Sequence, residues 1–288
     1  MGTGRVCFLN GNLVPEAEAR VQALDRGFLY GEGLFETVRV YGGTPFRLAR
    51  HWERLLGSCR FLDLPEPPWD PARVIRELLA ANRLRDGVVR FTWSQGVLPR
   101  GPRPGPGSAP VLVAHLRPVP EDLEARQARG VGGLRMPWPL RCRGNPLHRH
   151  KTLSYLSSVL ALGRVPPGEE PLLETAEGLV AEGATSNVFW VRGDALHTPH
   201  PEVGCLPGVA RGLVLEEARR IGLRVKEGAF PAGELLDADE AFLTNAVVEV
   251  VPLVRVDGRA VGDGSPGPWT RRLQAAYRAR VAAERGRP

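Results

Sequence analysis

Of the 38 basic side chains in this 288-residue chain, 36 are arginine, and only Lys151 and Lys226 are lysine. Gly, Ala, Pro and Arg are abundant, the mark of a GC-rich coding bias that turns surface lysines into arginine. A lysine that persists is a candidate for chemistry a guanidinium cannot do, because an ε-amine can lose its proton and attack a carbonyl. Lys151 follows His148-Arg149-His150 and precedes Leu153, Leu156 and Leu160, a spacing that predicts a packed helix over about 152–163 with the lysine at its start. The positive end of that helix dipole disfavours an ammonium, which is what a Schiff-base lysine needs. Lys226, beside Glu227 at a strand end, reads as a solvated surface residue.

Cys205-Leu206-Pro207-Gly208-Val209-Ala210-Arg211 puts Pro-Gly directly before an amphipathic helix. The free backbone amides of such a helix start make an anion site, and phosphate is its obvious ligand. A reactive amine together with a phosphate site points to pyridoxal phosphate. That cofactor also needs an acid near its pyridine nitrogen, because the protonated ring is the electron sink. Glu182 meets this need at a strand end, with the small residues Gly183 and Ala184 after it allowing close approach. Other patterns fail. Gly31-Glu32-Gly33 has Glu36 where a dinucleotide fingerprint wants a third glycine, and Gly101–Gly107 lacks the ending of a P-loop. His148 and His150 alone are too few ligands for a metal site, so no metal is expected.

The elements that must position these groups are mixed. Val6–Leu9 before Asn10-Gly11, and Glu36–Tyr41 before Gly42-Gly43, read as hairpins. A helix is expected over Ala49–Phe61, and Asp70-Pro71 is an N-cap followed by proline at the first helical position. Val88–Trp93 and Val111–Leu116 are strand-like and flank Pro99–Pro110, a Gly/Pro-rich insert long enough to be a functional loop. In the second half, strands around Leu172, Leu179 and Phe189 lead to a helix over Val209–Gly222. Strands near Val225 and Phe242 and over Val247–Val254 follow, then a terminal helix over Pro268–Glu284. The fold class is α/β or α+β, with hairpins at both ends arguing against a simple doubly wound sheet. The expected organisation is a small N-terminal domain over 1–118, a polar linker over 119–130 and a larger domain over 131–288.

With 43% hydrophobic and 24% charged residues, the chain has the composition of a globular protein with a large core. The N-terminus has no basic segment leading into an apolar one, and no run of about 18 apolar residues follows, so the expectation is a cytoplasmic protein with no membrane partner. Cys7, Cys59, Cys142 and Cys205 are too scattered for a zinc site or a disulfide framework and are expected to be reduced and buried.

Several segments, in order along nearly the whole chain, resemble the fold-type IV pyridoxal-phosphate enzymes, a class IV aminotransferase family of branched-chain and D-amino acid aminotransferases and 4-amino-4-deoxychorismate lyases. They are Asp25–Thr37, His51-Trp52-Glu53-Arg54-Leu55, His150–Leu156, Ala181-Glu182-Gly183 with Ser186–Phe189, Leu206-Pro207-Gly208, and Thr244-Asn245-Ala246. The resemblance implies that Lys151 binds pyridoxal 5'-phosphate, that Glu182 meets its ring nitrogen and that Tyr155 meets its phenolic oxygen. Arg54, the amides of Gly208, Val209 and Ala210, and the Asn245-Ala246 turn would hold the phosphate. It also implies a homodimer, with a site shared across it and a small-molecule substrate.

Within the family, Ser186 and Ala246 depart from the branched-chain pattern, and Phe35-Glu36-Thr37, Ser186–Trp190 and Thr244-Asn245-Ala246 look closer to the lyases. The expected reaction is conversion of 4-amino-4-deoxychorismate to 4-aminobenzoate and pyruvate in folate biosynthesis. Thr37 would help to protonate the departing enolpyruvyl group, and Tyr30, Arg90 and Arg100 are the candidate substrate contacts. The alternative is an aminotransferase acting on D- or branched-chain amino acids. A remote alternative, nucleic-acid binding, rests on the net charge of +6 and the basic stretch Arg141–Lys151. Arginine is spread along the whole chain without a motif of interleaved aromatics, so no nucleic-acid partner is expected.

Overall fold

Asn10 and Gly11, both at positive φ (46° and 96°), turn β1 (Val6–Leu9) back on β2 (Asn12–Pro15) as an antiparallel hairpin. The structure is a computed structural model and describes residues 4–98, 107 and 109–285. Most of the 99–110 insert, Arg100 with it, lies outside the described residues. The chain divides into two units, the first made of residues 1–119, 150–155 and 284–288, the second of 120–149 and 156–283.

In the first unit the hairpin is followed by α1 (Arg26–Tyr30), β3 (Gly33–Tyr41), β4 (Thr44–Pro45), α2 (Leu48–Phe61), α3 (Pro71–Asn82), β5 (Gly87–Val97) and β6 (Ala109–Arg117). The Asp70 carboxylate caps α3 by accepting from the amides of Ala72 and Arg73, as the Asp-Pro pair predicts. The six strands form an antiparallel sheet in the order β2-β1-β6-β5-β3-β4. Alternation along the strands gives it two different faces. Leu34, Val38, Val89, Phe91 and Leu112 share a buried core with Leu55 of α2 and with Ile75 and Leu78 of α3. The opposite face carries Phe35 and Thr37 on β3, Arg90 and Thr92 on β5, and His115 on β6, with Thr37, Arg90 and His115 in one cross-strand row.

The second unit contains α4 (Leu123–Arg129), β7 (Val131–Arg135), α5 (Leu156–Leu162), β8 (Glu170–Glu174), β9 (Val180–Gly183), β10 (Asn187–Arg192), β11 (Ala195–Pro199) and α6 (Val209–Arg220). It continues with β12 (Arg224–Gly228), α7 (Ala232–Leu236), β13 (Glu240–Asn245), β14 (Glu249–Val256), β15 (Arg259–Ala260) and α8 (Pro268–Glu284). Its sheet runs β12-β11-β10-β13-β14-β7-β8-β9, with β15 on β14. Parallel pairs (β11 with β12, β14 with β7, β7 with β8) occur beside antiparallel ones, giving the mixed sheet of an α/β protein.

Two expectations need correction. Residues 123–129, expected in a linker, form a helix of the second unit, which buries Leu123 and Gln127; the Gln127 amide donates to the Val248 carbonyl at 2.9 Å. The helix expected over 152–163 begins only at Leu156. Residues 151–153 instead pair with β3, through Phe35 N–H to Lys151 O at 2.8 Å and Leu153 N–H to Gly33 O at 2.9 Å. Lys151 therefore sits in extended chain ahead of the helix rather than at its first residue, and the dipole argument for it does not apply. Leu156 and Leu160 are exposed rather than packed, as is Cys142 among the four free cysteines. No helix among the described residues is long and apolar enough to cross a membrane.

Candidate active site

In the first unit, pairing with β3 puts Lys151 on the same face as Phe35. Its Nζ lies 4.2 Å from the Phe35 ring centroid and 5.9 Å from that of Tyr155, and the two rings meet edge to face at 5.2 Å. Close packing keeps the strand pairing tight: a Cβ on Gly33 would strike the Trp93 carbonyl at 2.4 Å and Leu153 Cδ1 at 2.7 Å. His150, the neighbour of Lys151, stacks on Phe61 at 4.1 Å, and its Nδ1 is 2.8 Å from Ser58 Oγ, which anchors the segment on α2.

Arg90 covers the Phe35 ring at 3.7 Å. Its Nε also reaches the Thr92 hydroxyl at 3.4 Å and it interacts with the Tyr155 phenol, so among the described residues it has no carboxylate partner. Burial pulls this guanidinium below its ordinary pKa, and the charge of Arg117 adds to the effect. An anion arriving here would relieve both. Thr37 faces Arg90 directly across β3 and β5. His115, next in the row, is pushed down to about 4 by burial, with the charges of Arg117 and Arg90 adding to it, and is neutral at physiological pH.

Glu36 points the other way, into the core side of β3, where it is fully buried. It receives Arg54 Nε at 2.7 Å on one oxygen, and Arg54 Nη2 at 2.8 Å and His51 Nδ1 at 2.9 Å on the other. Burial alone would raise its pKa, but the Arg54 charge and the hydrogen bonds from His51 and Arg54 outweigh it and hold the carboxyl well below the usual range. Glu36 thereby fixes the orientation of Arg54.

In the second unit the expected residues gather at the ends of β9, β10 and β13 and the start of α6. Glu182 accepts Arg141 Nε at 2.8 Å on one oxygen and the Leu206 amide at 2.9 Å on the other. Asn187 Nδ2 donates to the Leu206 carbonyl at 2.8 Å, and its Oδ1 lies where a Cβ on Gly208 would be, at 2.2 Å. Residue 208 is therefore restricted to glycine. No side chain caps α6, which leaves its first amides, Val209 and Ala210 among them, to an incoming anion. The Asn245 side chain is used internally: Oδ1 accepts from the Val247 and Val248 amides and Nδ2 donates to Thr185 O at 3.2 Å. With methyl-bearing Ala246 next to it, an anion contact at this turn falls to the backbone.

Three polar groups were not evident from the sequence. Arg141 looked like part of a basic stretch. Glu36 could have been flagged, since a carboxylate at a core-facing position of an apolar strand requires a buried partner. Glu170 braces the loop after Glu182, its Oε1 accepting from Ser186 Oγ at 2.7 Å and the Thr185 amide at 3.1 Å. Tyr30, by contrast, ends α1 nearly half exposed, and among the described residues its ring meets Arg26 at 4.9 Å rather than the Lys151 group.

The first unit offers a reactive amine and a cation without an anionic partner among the described residues, groups that suit an aldehyde and an anion; the second offers an uncapped helix start and a buried carboxylate, groups that suit a phosphate and a protonated ring nitrogen. Comparison with known proteins agrees. The family described as amino-transferase class IV matches residues 33–256. The chain is 34% identical to the aminodeoxychorismate lyase of Bacillus subtilis (strain 168) over 283 residues, covering 95% of this chain and 94% of that one. It is 33% identical to a putative branched-chain-amino-acid aminotransferase of Methanocaldococcus jannaschii (94% of each chain) and 32% identical to the D-alanine aminotransferase of Bacillus licheniformis (96% of each). Among solved structures, the 4-amino-4-deoxychorismate lyase of Pseudomonas aeruginosa aligns with a TM-score of 0.83 at 32% identity, covering 95% of this chain and 98% of that one. The T.th. branched-chain amino acid aminotransferase, complexed with N-(5'-phosphopyridoxyl)-L-glutamate, aligns with a TM-score of 0.85 at 27% identity, covering 98% and 95%.

Proposed function

The chain belongs to the amino-transferase class IV family of fold-type IV pyridoxal-phosphate enzymes, and we propose that within it the protein converts 4-amino-4-deoxychorismate to 4-aminobenzoate and pyruvate, a cytoplasmic step of folate biosynthesis. Pyridoxal phosphate supplies an aldehyde that takes up amines and a ring that draws electrons from the carbon bearing the nitrogen. The residues present fit that cofactor, since Gly208 opens an uncapped helix where a phosphate is favoured and Glu182 is an oriented carboxylate for a protonated ring nitrogen. By the family resemblance Arg54, held by Glu36, would add charge for the phosphate, and Tyr155 would serve the phenolic oxygen.

Lys151 is the residue that would hold the cofactor, and its amine, once released, would take the proton from the substrate carbon bearing nitrogen. Breaking the carbon–oxygen bond to the enolpyruvyl group would then aromatise the ring, and Thr37 would pass the proton taken up by Lys151 to the departing group, which becomes pyruvate. The balance needs no second substrate. Arg90 receives one of the two substrate carboxylates; Arg100, outside the described residues, is the candidate for the other.

The observation that carries the lyase reading is the Thr37–Arg90 pair. It sets a neutral hydroxyl beside a half-buried cation without an anionic partner among the described residues, on the face that also carries the Lys151 amine. An aminotransferase needs the cation and the amine but not the hydroxyl. The test is Thr37→Val, which keeps shape and removes the hydroxyl. It should lose most 4-aminobenzoate formation, and Thr37→Ser should recover it. Unchanged rates in Thr37→Val would contradict the assignment and favour the aminotransferase alternative. We further propose a homodimer, supported by exposed apolar side chains on both units: Phe28 (77% exposed) in the first, Leu156 (78%) and Val159 (56%) in the second.

A further inference from the structure

Most of the 36 arginines need no explanation beyond solubility, but Arg141 is almost completely buried, at 8% side-chain exposure against 9% for its partner Glu182. We propose that Arg141 is a positioning residue that aims the Glu182 carboxylate for the cofactor's ring nitrogen. The proposal rests on the reading of Glu182 given above and deepens it.

The geometry is that of a clamp. The Arg141 Nε–H reaches one Glu182 oxygen at 2.8 Å and the Leu206 amide the other at 2.9 Å, so two donors from separate loops fix the plane of the carboxylate. A carboxylate has about four lone-pair positions, so two donors leave acceptor capacity for a third. The guanidinium is itself pinned: Nη1 donates to the Leu140 carbonyl at 2.9 Å and Nη2 to Ser158 Oγ at 3.4 Å. Its backbone is tied as well, by the amide donating to Glu174 O at 3.1 Å and a bridge to Thr175. Packing closes the loop behind it, because a Cβ on Gly204 would meet the Cys142 carbonyl at 3.0 Å and Arg141 Cβ at 3.4 Å.

Lysine would not substitute. Its ammonium is a point charge on a flexible stem, whereas the guanidinium fork serves Glu182, Leu140 and Ser158 at once. Without the arginine, Glu182 would be a buried carboxylate with one amide for support, and its favourable response is to turn away toward other donors. That takes the negative charge away from the place where a protonated ring nitrogen requires it.

A structural ion pair would look the same in the coordinates, so the test needs a readout that stability alone does not move. The measurement is the nitrogen-15 resonance of the ring nitrogen in protein loaded with labelled pyridoxal phosphate, taken for wild type, Glu182→Gln, Arg141→Met and Arg141→Lys, alongside kcat and KM. Glu182→Gln should move the resonance from the protonated to the unprotonated position. Arg141→Met should move it the same way and lower kcat about 10- to 100-fold, the worth of a charge-assisted hydrogen bond, with little change in KM. Arg141→Lys should fall between the two. A wild-type resonance in Arg141→Met, with Glu182→Gln shifted, overturns the role of Arg141 and leaves that of Glu182 intact. A wild-type resonance in Glu182→Gln overturns both. If Arg141→Met does not accumulate as folded protein, Arg141→Lys decides by the same resonance.

Discussion

Lys151 and Phe35 are joined twice: the Phe35 amide donates to the Lys151 carbonyl at 2.8 Å, and the Lys151 Nζ stands 4.2 Å from the Phe35 ring centroid. The backbone bond sets the register, and the ring gives the amine an apolar, π-rich floor. Phe35→Leu keeps the burial but removes the cation–π term, about 0.5–2 kcal/mol. It should slow cofactor capture several-fold, measured as the rate of uptake of pyridoxal phosphate by apoprotein. An unchanged rate would mean that the ring is only packing.

Borohydride reduction of the holo-protein followed by peptide mass mapping should place the pyridoxyl group on Lys151. Lys226, exposed in the middle of β12, is the one other lysine, and labelling there would remove the basis of the assignment.

Arg54→Ala should weaken pyridoxal phosphate binding about 10- to 100-fold, on the scale of a hydrogen bond to a charged group. Glu36→Gln instead strands two buried donors and should cost about 3 kcal/mol, read as a fall in the denaturant midpoint. Because the Glu36 carboxyl is held below its unfolded value, its contribution is complete above about pH 4.3 and is lost as pH falls further, toward the folded value. Glu36→Gln should flatten that acid limb. An acid limb identical to wild type would place the acid sensitivity elsewhere.

The His115 imidazole titrates at about 4 in the folded chain, below its unfolded value of about 6.5, so the unfolded state binds more protons between the two. Stability should fall as pH drops from about 6.5 toward 4, and His115→Gln should remove that part of the slope. Thermal melts across this range decide it. A slope that survives the substitution would contradict the burial assigned to His115.

What the sequence disclosed was local chemistry. The scarcity of lysine singled out Lys151, Asp70-Pro71 marked a cap, and Pro207-Gly208 marked an uncapped helix start. Pairings between distant segments stayed hidden. Apolar spacing after Lys151 looks helical because nothing local says that 151–153 will bond to β3, and the same leucines turn out to be exposed. Helix α4 has too few apolar residues to declare itself, since it buries one apolar side chain, Leu123, beside the polar anchor Gln127. The Arg141–Glu182 clamp spans a separation that no motif records.

Exposed Leu156 and Val159 on α5 predict that wild-type protein sediments as a dimer and that Leu156→Glu shifts it toward monomer. A wild-type monomer over micromolar concentrations would contradict the assembly.

The central claim is the reaction itself. Purified holo-protein given 4-amino-4-deoxychorismate and no 2-oxoacid should release 4-aminobenzoate and pyruvate in equal amounts throughout the time course. Robust amino transfer from D-alanine or a branched-chain amino acid to a 2-oxoacid, with no 4-aminobenzoate formed from the first substrate, would contradict it.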